Sequence, residues 1–389
     1  MTGVLLIDHS GELGGGELSL FDFASTTRLP VQVAVFEPGP FVDRLKEAGI
    51  AVEVIAAGTV LDVRRNNGII KVLRIVPSLT RSILALARKM RRTQLVYANS
   101  QKALVVAALS NSIARRPLIW HLHDIMTAAH FSGTMRRVAI GLSNRFATHL
   151  IANSHATEVS YRQAGGKLPV TVVHNGIDPA PFTAVDRAAV HAALIRDNEI
   201  PKGAPIVALF GRLSSWKGQD VAVAAIAAVP GAHLVLVGSA MFGDGAFEAA
   251  LRRDVTARGI GDRVHFLGFR SDVAALMTGV DVIVHASTAP EPFGRVIAEA
   301  MMAGTPVIAS AAGGAIEIVE NGTGVLVPPG DVDALAAAIR RLIADPIAAA
   351  AMAARARVRA LARFALPIAT ARTDAVVMAV VPGIVSGRA

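Results

Sequence analysis

Short apolar runs alternate with helical patterns along nearly the whole chain, and this alternation restricts the fold more than any other feature. Parallel strands covered on both faces read as unbroken apolar stretches, and each needs a helical crossover to reach the next. In the first half the runs are 4–8 (VLLID), 31–36 (VQVAVF), 52–55 (VEVI), 95–99 (LVYAN), 118–123 (LIWHLH), 149–153 (HLIAN) and 171–174 (TVVH). In the second half they are 206–210 (IVALF), 233–237 (HLVLV), 264–267 (VHFL), 281–285 (DVIVH), 307–309 (VIA) and 324–327 (GVLV). From 331 onward the chain reads as helix, rich in Ala and Arg. The stretch 174–182 (HNGIDPAPF), with an Asn-Gly pair and two prolines, is the linker. Two doubly wound α/β domains are therefore expected, 1–178 and 179–365. A final helix, about 366–389, is expected to pack back on the first. The chain has 389 residues, 52% of them apolar and 18% charged, enough apolar material for two cores.

In such sheets ligands bind beyond the carboxyl ends of the strands, so the cleft between the domains is the expected site. The residues there are unusual. After the first strand, Gly14, Gly15 and Gly16 precede Glu17 and an apolar-periodic helix. Glycines at a helix start let backbone amides approach an anion. Ser19 stands where a dinucleotide fingerprint would have its last glycine, and no Walker-type Gly-Lys-Ser follows. His121, His123 and Asp124 end the fifth strand as a polar cluster; a metal site there would lack an evident third and fourth ligand.

Gly211, Arg212 and Lys217 follow the first strand of the second half, just before a helix starting near Gly218. Two cations at that point suit a pyrophosphate. Gly238, then Gly268 with Phe269, then 285–294 (HASTAPEPFG) follow three further strands and put small residues where backbone can approach a ligand. A helix runs from Arg295 to Ala303 and carries Glu299 on an apolar background; a surface ion pair with Arg295, four residues away, is its bland explanation. The sequence 331–333 (DVD) follows Gly330 and reads as a helix cap rather than a metal-binding acid pair.

There is no cysteine, so neither disulfides nor thiolate metal sites are possible. The N-terminus reads as a strand and not as a signal peptide. No run reaches the roughly 18 apolar residues of a membrane span, since Pro382 and Gly383 interrupt 375–385. A cytoplasmic protein is expected. The net charge of +9 equals the nine Lys and Arg of residues 64–92, which contain no acid. On a helical plot Val72, Leu73, Ile75, Val76, Leu79, Ile83, Leu84, Leu86 and Met90 form one arc, and Lys71, Arg74, Arg81, Arg88, Lys89 and Arg92 oppose it. Pro77 should kink or split this helix. The segment either packs as core with a solvated basic face or sits on the anionic inner face of the plasma membrane. Nucleic acid is disfavoured because no aromatic platform accompanies the charge.

The stretches FGRLSSWKGQD (210–220), HNGID (174–178) and the run from GFR (268–270) to about residue 340 resemble glycosyltransferase family 4, the retaining "group 1" transferases of GT-B fold, and the similarity is continuous over residues 206–340. LGGGELSL, LHD and IANSHAT in the first domain are similar too. The resemblance implies two Rossmann-like domains facing a central cleft, and a sugar moved from a UDP-, GDP- or ADP-sugar to a saccharide or lipid-linked acceptor in cell-envelope or polysaccharide synthesis. It implies an E-x7-E pair in which Glu291 holds donor-sugar hydroxyls and Glu299 the ribose. Pro292, Phe293, Gly294, Arg295 and Val296 would present helix N-terminal amides. Arg212 and Lys217 would clamp the pyrophosphate, Gly15 would lie near it, and His123 near the donor sugar. Asp124, Asn153, Ser154 and Asn175 are acceptor-side candidates. Neither metal nor other cofactor is implied, because fixed cations and a helix N-terminus can stabilise a departing diphosphate. A phosphorylase would need a pyridoxal-bearing lysine, for which Lys202 and Lys217 are poor candidates. A GT-B-like epimerase and a non-catalytic nucleotide-sugar-binding membrane protein are the competing readings.

Overall fold

The structure, a computed structural model, describes residues 2–55, 69–127, 131–240 and 245–384, with backbone alone at 2 and 69–78. Residues 64–68 of the basic segment and 385–389 of the expected last helix lie outside the described residues. The chain divides into two compact units, Met1–Gly176 with Leu366–Ala389, and Ile177–Ala365.

In the first unit β1 (Thr2–Asp8), α1 (Gly15–Thr26), β2 (Val31–Val35), α2 (Pro40–Glu47) and β3 (Val52–Val54) come first. Then follow α3 (Ile69–Met90), β4 (Thr93–Ala98), α4 (Gln101–Ala114), β5 (Leu118–Leu122) and α5 (Gly133–Phe146). β6 (His149–Ala152), α6 (His155–Gln163) and β7 (Val170–Val172) complete its sheet, in the parallel order β3-β2-β1-β4-β5-β6-β7. Val4 pairs with Val31 on one side of β1 and with Leu95 of β4 on the other. Side chains of β1 alternate between two cores. Leu5 and Ile7 meet Leu86, Leu104 and Trp120, while Val4 and Leu6 meet Leu20, Phe41, Leu45 and Val377. This alternation is why the strand carries no polar face.

The second unit contains α7 (Arg187–Asp197), β8 (Ile206–Phe210), α8 (Gln219–Ala227), β9 (His233–Val237), α9 (Gly245–Ala257) and β10 (Val264–Gly268). It continues with α10 (Val273–Gly279), β11 (Val282–His285), α11 (Arg295–Ala303), β12 (Val307–Ser310), α12 (Ala315–Ile318) and β13 (Val325–Val327). α13 (Val332–Ala344) and α14 (Pro346–Phe364) close it. The parallel order is β10-β9-β8-β11-β12-β13. Helix starts follow local chemistry: Asp331 accepts from the Ala334 amide at 2.9 Å and caps α13, and Asp345 caps α14 just ahead of Pro346. The 331–333 acids are thus at a helix cap, as their sequence context indicates. α15 (Leu366–Val380) then returns to the first unit, where Thr370 bonds Thr26 at 2.7 Å and Asp374 accepts from Thr27 at 2.6 Å.

In the basic segment one of the expected outcomes, a split at Pro77, does not occur: α3 is one helix of 22 residues. Packing supplies the compensation, since Leu86, Ala87 and Met90 anchor its last turns in the core against α4. The cations also do not lack an acid in space, because Lys89 bonds Glu53 of β3. The apolar arc is therefore core-facing at Leu86 and Met90, with Arg81, Arg88, Arg91 and Arg92 on the exposed side. No helix of the described residues is long and apolar enough to cross a membrane.

Candidate functional site

Each sheet reverses its winding direction once, between β1 and β4 in the first unit and between β8 and β11 in the second. Loops leaving neighbouring strands at such a point diverge and leave a crevice at the carboxyl edge. Most of the residues singled out in the sequence lie at these two edges.

In the second unit the loop after β8 carries Gly211, Arg212 and Lys217, and the loop after β11 carries Glu291. Gly218 (φ 72°) holds the two loops together, because a Cβ there would lie 1.9 Å from the Ala286 carbonyl oxygen. Lys217 Nζ donates to Glu291 Oε1 at 2.6 Å, across 74 residues of sequence. Ser287 Oγ donates to the same oxygen at 2.6 Å, and His285 Nε2 lies 3.0 Å from it. Glu291 is only 7% exposed. Burial pushes its carboxyl up, but His285 and Lys217 together outweigh that and hold it well below the usual carboxylate range. The result is a buried carboxylate that stays ionised with three groups gathered on one oxygen. Lys217 also lies over the Trp216 ring, 4.3 Å from its centroid.

Sequence reasoning named Lys217 and Glu291 but missed His285 and Ser287, although both stand in the HASTAPEPFG stretch. It also missed Gly313 and Gly314. A Cβ on Gly313 would fall 2.1 Å from the Glu291 carbonyl oxygen, and the Gly314 amide donates to that oxygen at 2.8 Å. The glycine pair beyond the carboxyl end of β12 was the available signal.

Gly294 (φ 96°) turns the chain into α11. Phe293 is 2% exposed and meets Phe364 edge-on at 5.7 Å, so only its backbone can face a ligand. Pro292, Arg295 and Val296 are partly exposed. Arg295 Nε donates to Glu299 Oε1 at 2.7 Å, with both side chains about one-fifth exposed (23% and 19%). The ion pair inferred from spacing therefore exists. Gly238 has a reason within the fold itself: a Cβ there would sit 2.1 Å from the Gly211 carbonyl oxygen, and its amide donates to Gly268. Gly268 has φ 65° and open space, and Phe269 beyond it is 78% exposed. The Arg212 carbonyl accepts from buried Gln219 at 2.9 Å, fixing the start of its loop.

In the first unit Gly14 caps α1, and Gly15 and Gly16 form its first turn. None of the three has a positive φ, and a Cβ on Gly15 would meet nothing within 4 Å. The fold therefore does not require glycine at Gly15, which is exposed at a helix N-terminus. The Gly14 amide donates to the Glu17 carboxylate at 3.1 Å. Burial, then Asp8, push the Glu17 carboxyl up to about 7.

His123 lies beside Gly16 and bonds Asn99 Oδ1 through Nε2 at 2.9 Å. Burial lowers its pKa to about 4 against the opposing pull of Asp8, so the ring is neutral at ordinary pH. His121 is buried, bonded through Nδ1 to the Tyr97 hydroxyl at 2.5 Å, and held well below the usual histidine range by burial and by His123. Among the described residues, His121, His123 and Asp124 do not converge as ligands; three such ligand atoms come within 4.8 Å of one another only at Asp8, His9 and Glu17.

The acceptor-side candidates are placed unevenly. Asp124 is partly exposed. Buried Asn153 donates to the His123 carbonyl at 3.4 Å and accepts from Thr157 at 2.8 Å. Ser154 is 0% exposed and caps α6 through the Thr157 amide at 3.0 Å, so its hydroxyl serves the helix. Asn175 is 8% exposed and receives Ser19 Oγ at 3.4 Å.

Comparison with known proteins identifies the family. Residues 14–181 match the model of "Glycosyltransferase Family 4", and residues 191–359 that of "Glycosyl transferases group 1". The crystal structure of Anabaena HepE in complex with UDP-glucose is 37% identical, with a TM-score of 0.86, over 97% of this chain and 100% of that one. The lipopolysaccharide core biosynthesis glycosyltransferase LpsE of Rhizobium meliloti is 31% identical over 50% of this chain and 54% of its own length. The D-inositol 3-phosphate glycosyltransferase of Mycolicibacterium paratuberculosis is 37% identical over 50% of this chain and 44% of its own. The chain thus spans about half the length of these last two relatives. With both halves matched by family models and similarity to HepE along its whole length, the chain belongs to glycosyltransferase family 4 and has the two-sheet GT-B architecture.

Proposed function

We propose that the protein transfers a sugar from a nucleoside-diphosphate sugar, with a UDP-sugar such as UDP-glucose as donor, to a saccharide or lipid-linked acceptor. The observation that carries this reading is the cluster of Lys217, Ser287, His285 and Glu291 at the carboxyl edge between β8 and β11, the place where such sheets take ligands. The full-length similarity to HepE, which binds UDP-glucose, supports uridine as the base.

In this reading Arg212, Lys217 and the N-terminus of α11 meet the charge that grows on the diphosphate as the glycosidic bond breaks. Lys217 is the adaptable member, since its ammonium can be shared between Glu291 and a phosphate oxygen. Glu291 Oε1 is occupied by three groups, so the free lone pairs for sugar hydroxyls are on Oε2. Glu299 takes the ribose hydroxyls while Arg295 holds it in place. The glycines at 14–16 give the diphosphate room at the start of α1, and neutral His123 lies beside the donor sugar. Transfer proceeds with retention, by same-face displacement through an oxocarbenium-like state, and needs no metal. The lipopolysaccharide-core role of LpsE favours a lipid-linked acceptor. Attachment to an anionic membrane would draw on the exposed arginines of α3, while Leu86 and Met90 are committed to the core.

A calorimetric panel of UDP-, GDP- and ADP-glucose tests the donor. A ligand at a hundred times its Kd adds about 2.7 kcal/mol of stability, so UDP-glucose should raise the melting temperature clearly and alone. No shift with any nucleotide sugar would remove the reading. Proton NMR of the product's anomeric centre decides retention, and inversion would overturn it.

A further inference from the structure

The first unit contains a hydrogen-bonded chain through Asp8 and Asn99, two residues that the reaction scheme above does not use. Asn99 follows β4 directly, at the point where the first sheet reverses direction. Its amide nitrogen donates both hydrogens, to Asp8 Oδ2 at 2.5 Å and to the Gly16 carbonyl at 3.0 Å. Its carbonyl oxygen faces His123 Nε2 at 2.9 Å. The opposite orientation of the amide would set an oxygen against the Gly16 carbonyl, which can only accept. The orientation is therefore fixed by chemistry, whatever proton Asp8 carries. An acceptor at 2.9 Å from Nε2 requires a hydrogen on that nitrogen.

Asp8 in turn is fixed. It is 0% exposed, and its Oδ1 accepts from the His9 amide at 2.6 Å and from the Ser10 amide at 3.3 Å. The carbonyl of His123 is held separately by Asn153. His123 Nδ1, itself shielded, has no hydrogen-bond partner among the described residues.

We propose that Asn99 is a positioning residue that locks His123 in its Nε2–H tautomer, leaves the shielded Nδ1 as the ring's acceptor, and ties the ring to the first turn of α1. The consequence is chemical. In this tautomer Nδ1 can accept a hydrogen bond but cannot donate one. Because Gly16 is bonded to the same amide, the glycine turn and the histidine are placed as one unit rather than two. The catalytic relevance of this placement rests on the proposed sugar transfer; the tautomer itself does not.

The test uses the full chain with nitrogen-15 histidine. Long-range nitrogen–proton spectra distinguish the two neutral tautomers, and a His123→Gln variant assigns the signal among the 11 histidines. Wild type should show His123 as Nε2–H, and Asn99→Ala should show a mixture of both forms. In a transfer assay Asn99→Ala should lose at least about tenfold in kcat with donor KM within threefold, since a mis-set tautomer damages turnover rather than affinity. An Nδ1–H signal in wild type overturns the proposal without using any variant. A His123 signal unchanged in Asn99→Ala overturns it too. Full turnover in His123→Gln would instead remove the histidine from the reaction scheme, a result distinct from the tautomer measurement.

Discussion

Removing the ammonium of Lys217 exposes how much the second unit depends on Glu291. In Lys217→Met the carboxylate stays buried at 7% exposure, with Ser287 and His285 still on Oε1 but its nearest full cation gone. Breaking a fully buried ion pair from one side costs about 3–5 kcal/mol. Lys217 is 20% exposed and two partners remain, so about 2–3 kcal/mol is the appropriate scale. For a domain of this size each kcal/mol moves the melting temperature by roughly 2–4 °C, giving about 4–12 °C. Trp216 reports the transition once Trp120, the other of the two tryptophans, is changed to Phe. Glu291→Gln and the double variant complete a cycle, and the coupling should be about 2 kcal/mol. Glu291 has a depressed folded pKa, so its contribution is present above the ordinary carboxylate range and is lost as pH falls below it. The coupling should therefore persist at pH 6. Single effects that add to within about 0.5 kcal/mol would refute the idea that the pair acts as a unit.

Other outcomes follow from the same geometry. Lys217→Ala should lose about 10²–10³ in turnover while remaining folded, and activity within threefold of wild type would dismiss its role toward the diphosphate. Glu299→Ala should weaken UDP binding in calorimetry, whereas Glu291→Ala should leave UDP affinity nearly unchanged and damage transfer; equal losses in affinity would refute that division. Chelator-treated protein should keep its activity, and abolition by EDTA with rescue by Mg²⁺ would require a metal step. Glu17 has a raised folded pKa, so the folded state binds its proton more tightly and stability falls as pH rises from about 4.5 to about 7. Glu17→Gln should accordingly gain on wild type between pH 5 and pH 8, and parallel pH–stability curves would contradict that assignment.

The central strands were legible because their residues are buried on both faces, as in β5, β8, β9, β11 and β12, leaving unbroken apolar runs of the right length. Boundaries moved by one or two residues where caps decide them, as at Asp281, whose side chain accepts from the Ile206 amide outside β11. What sits next to what was less legible. Lys217 meets Glu291 because β8 and β11 are neighbours, and Asp8 meets Asn99 because β1 and β4 are; sequence order states neither adjacency. Tyr97 and His121 join for the same reason across β4 and β5. Of the two outcomes expected at Pro77, the split does not occur, because local propensity was weighed without the packing that holds the end of α3.

The return of α15 to the first unit sets an order of events during synthesis. Val376 and Val377 complete the core that Leu20, Phe41 and Leu45 begin, yet they leave the ribosome only after all of Ile177–Ala365. The second unit is one uninterrupted stretch and can close as soon as it emerges. The first must wait with one apolar face open until residues some 190 positions downstream arrive, a long-range closure that is slow by nature. A stalled or prematurely ended chain would thus carry a finished second unit behind an unfinished first one, and it is the earlier-made half that would need a chaperone's shelter.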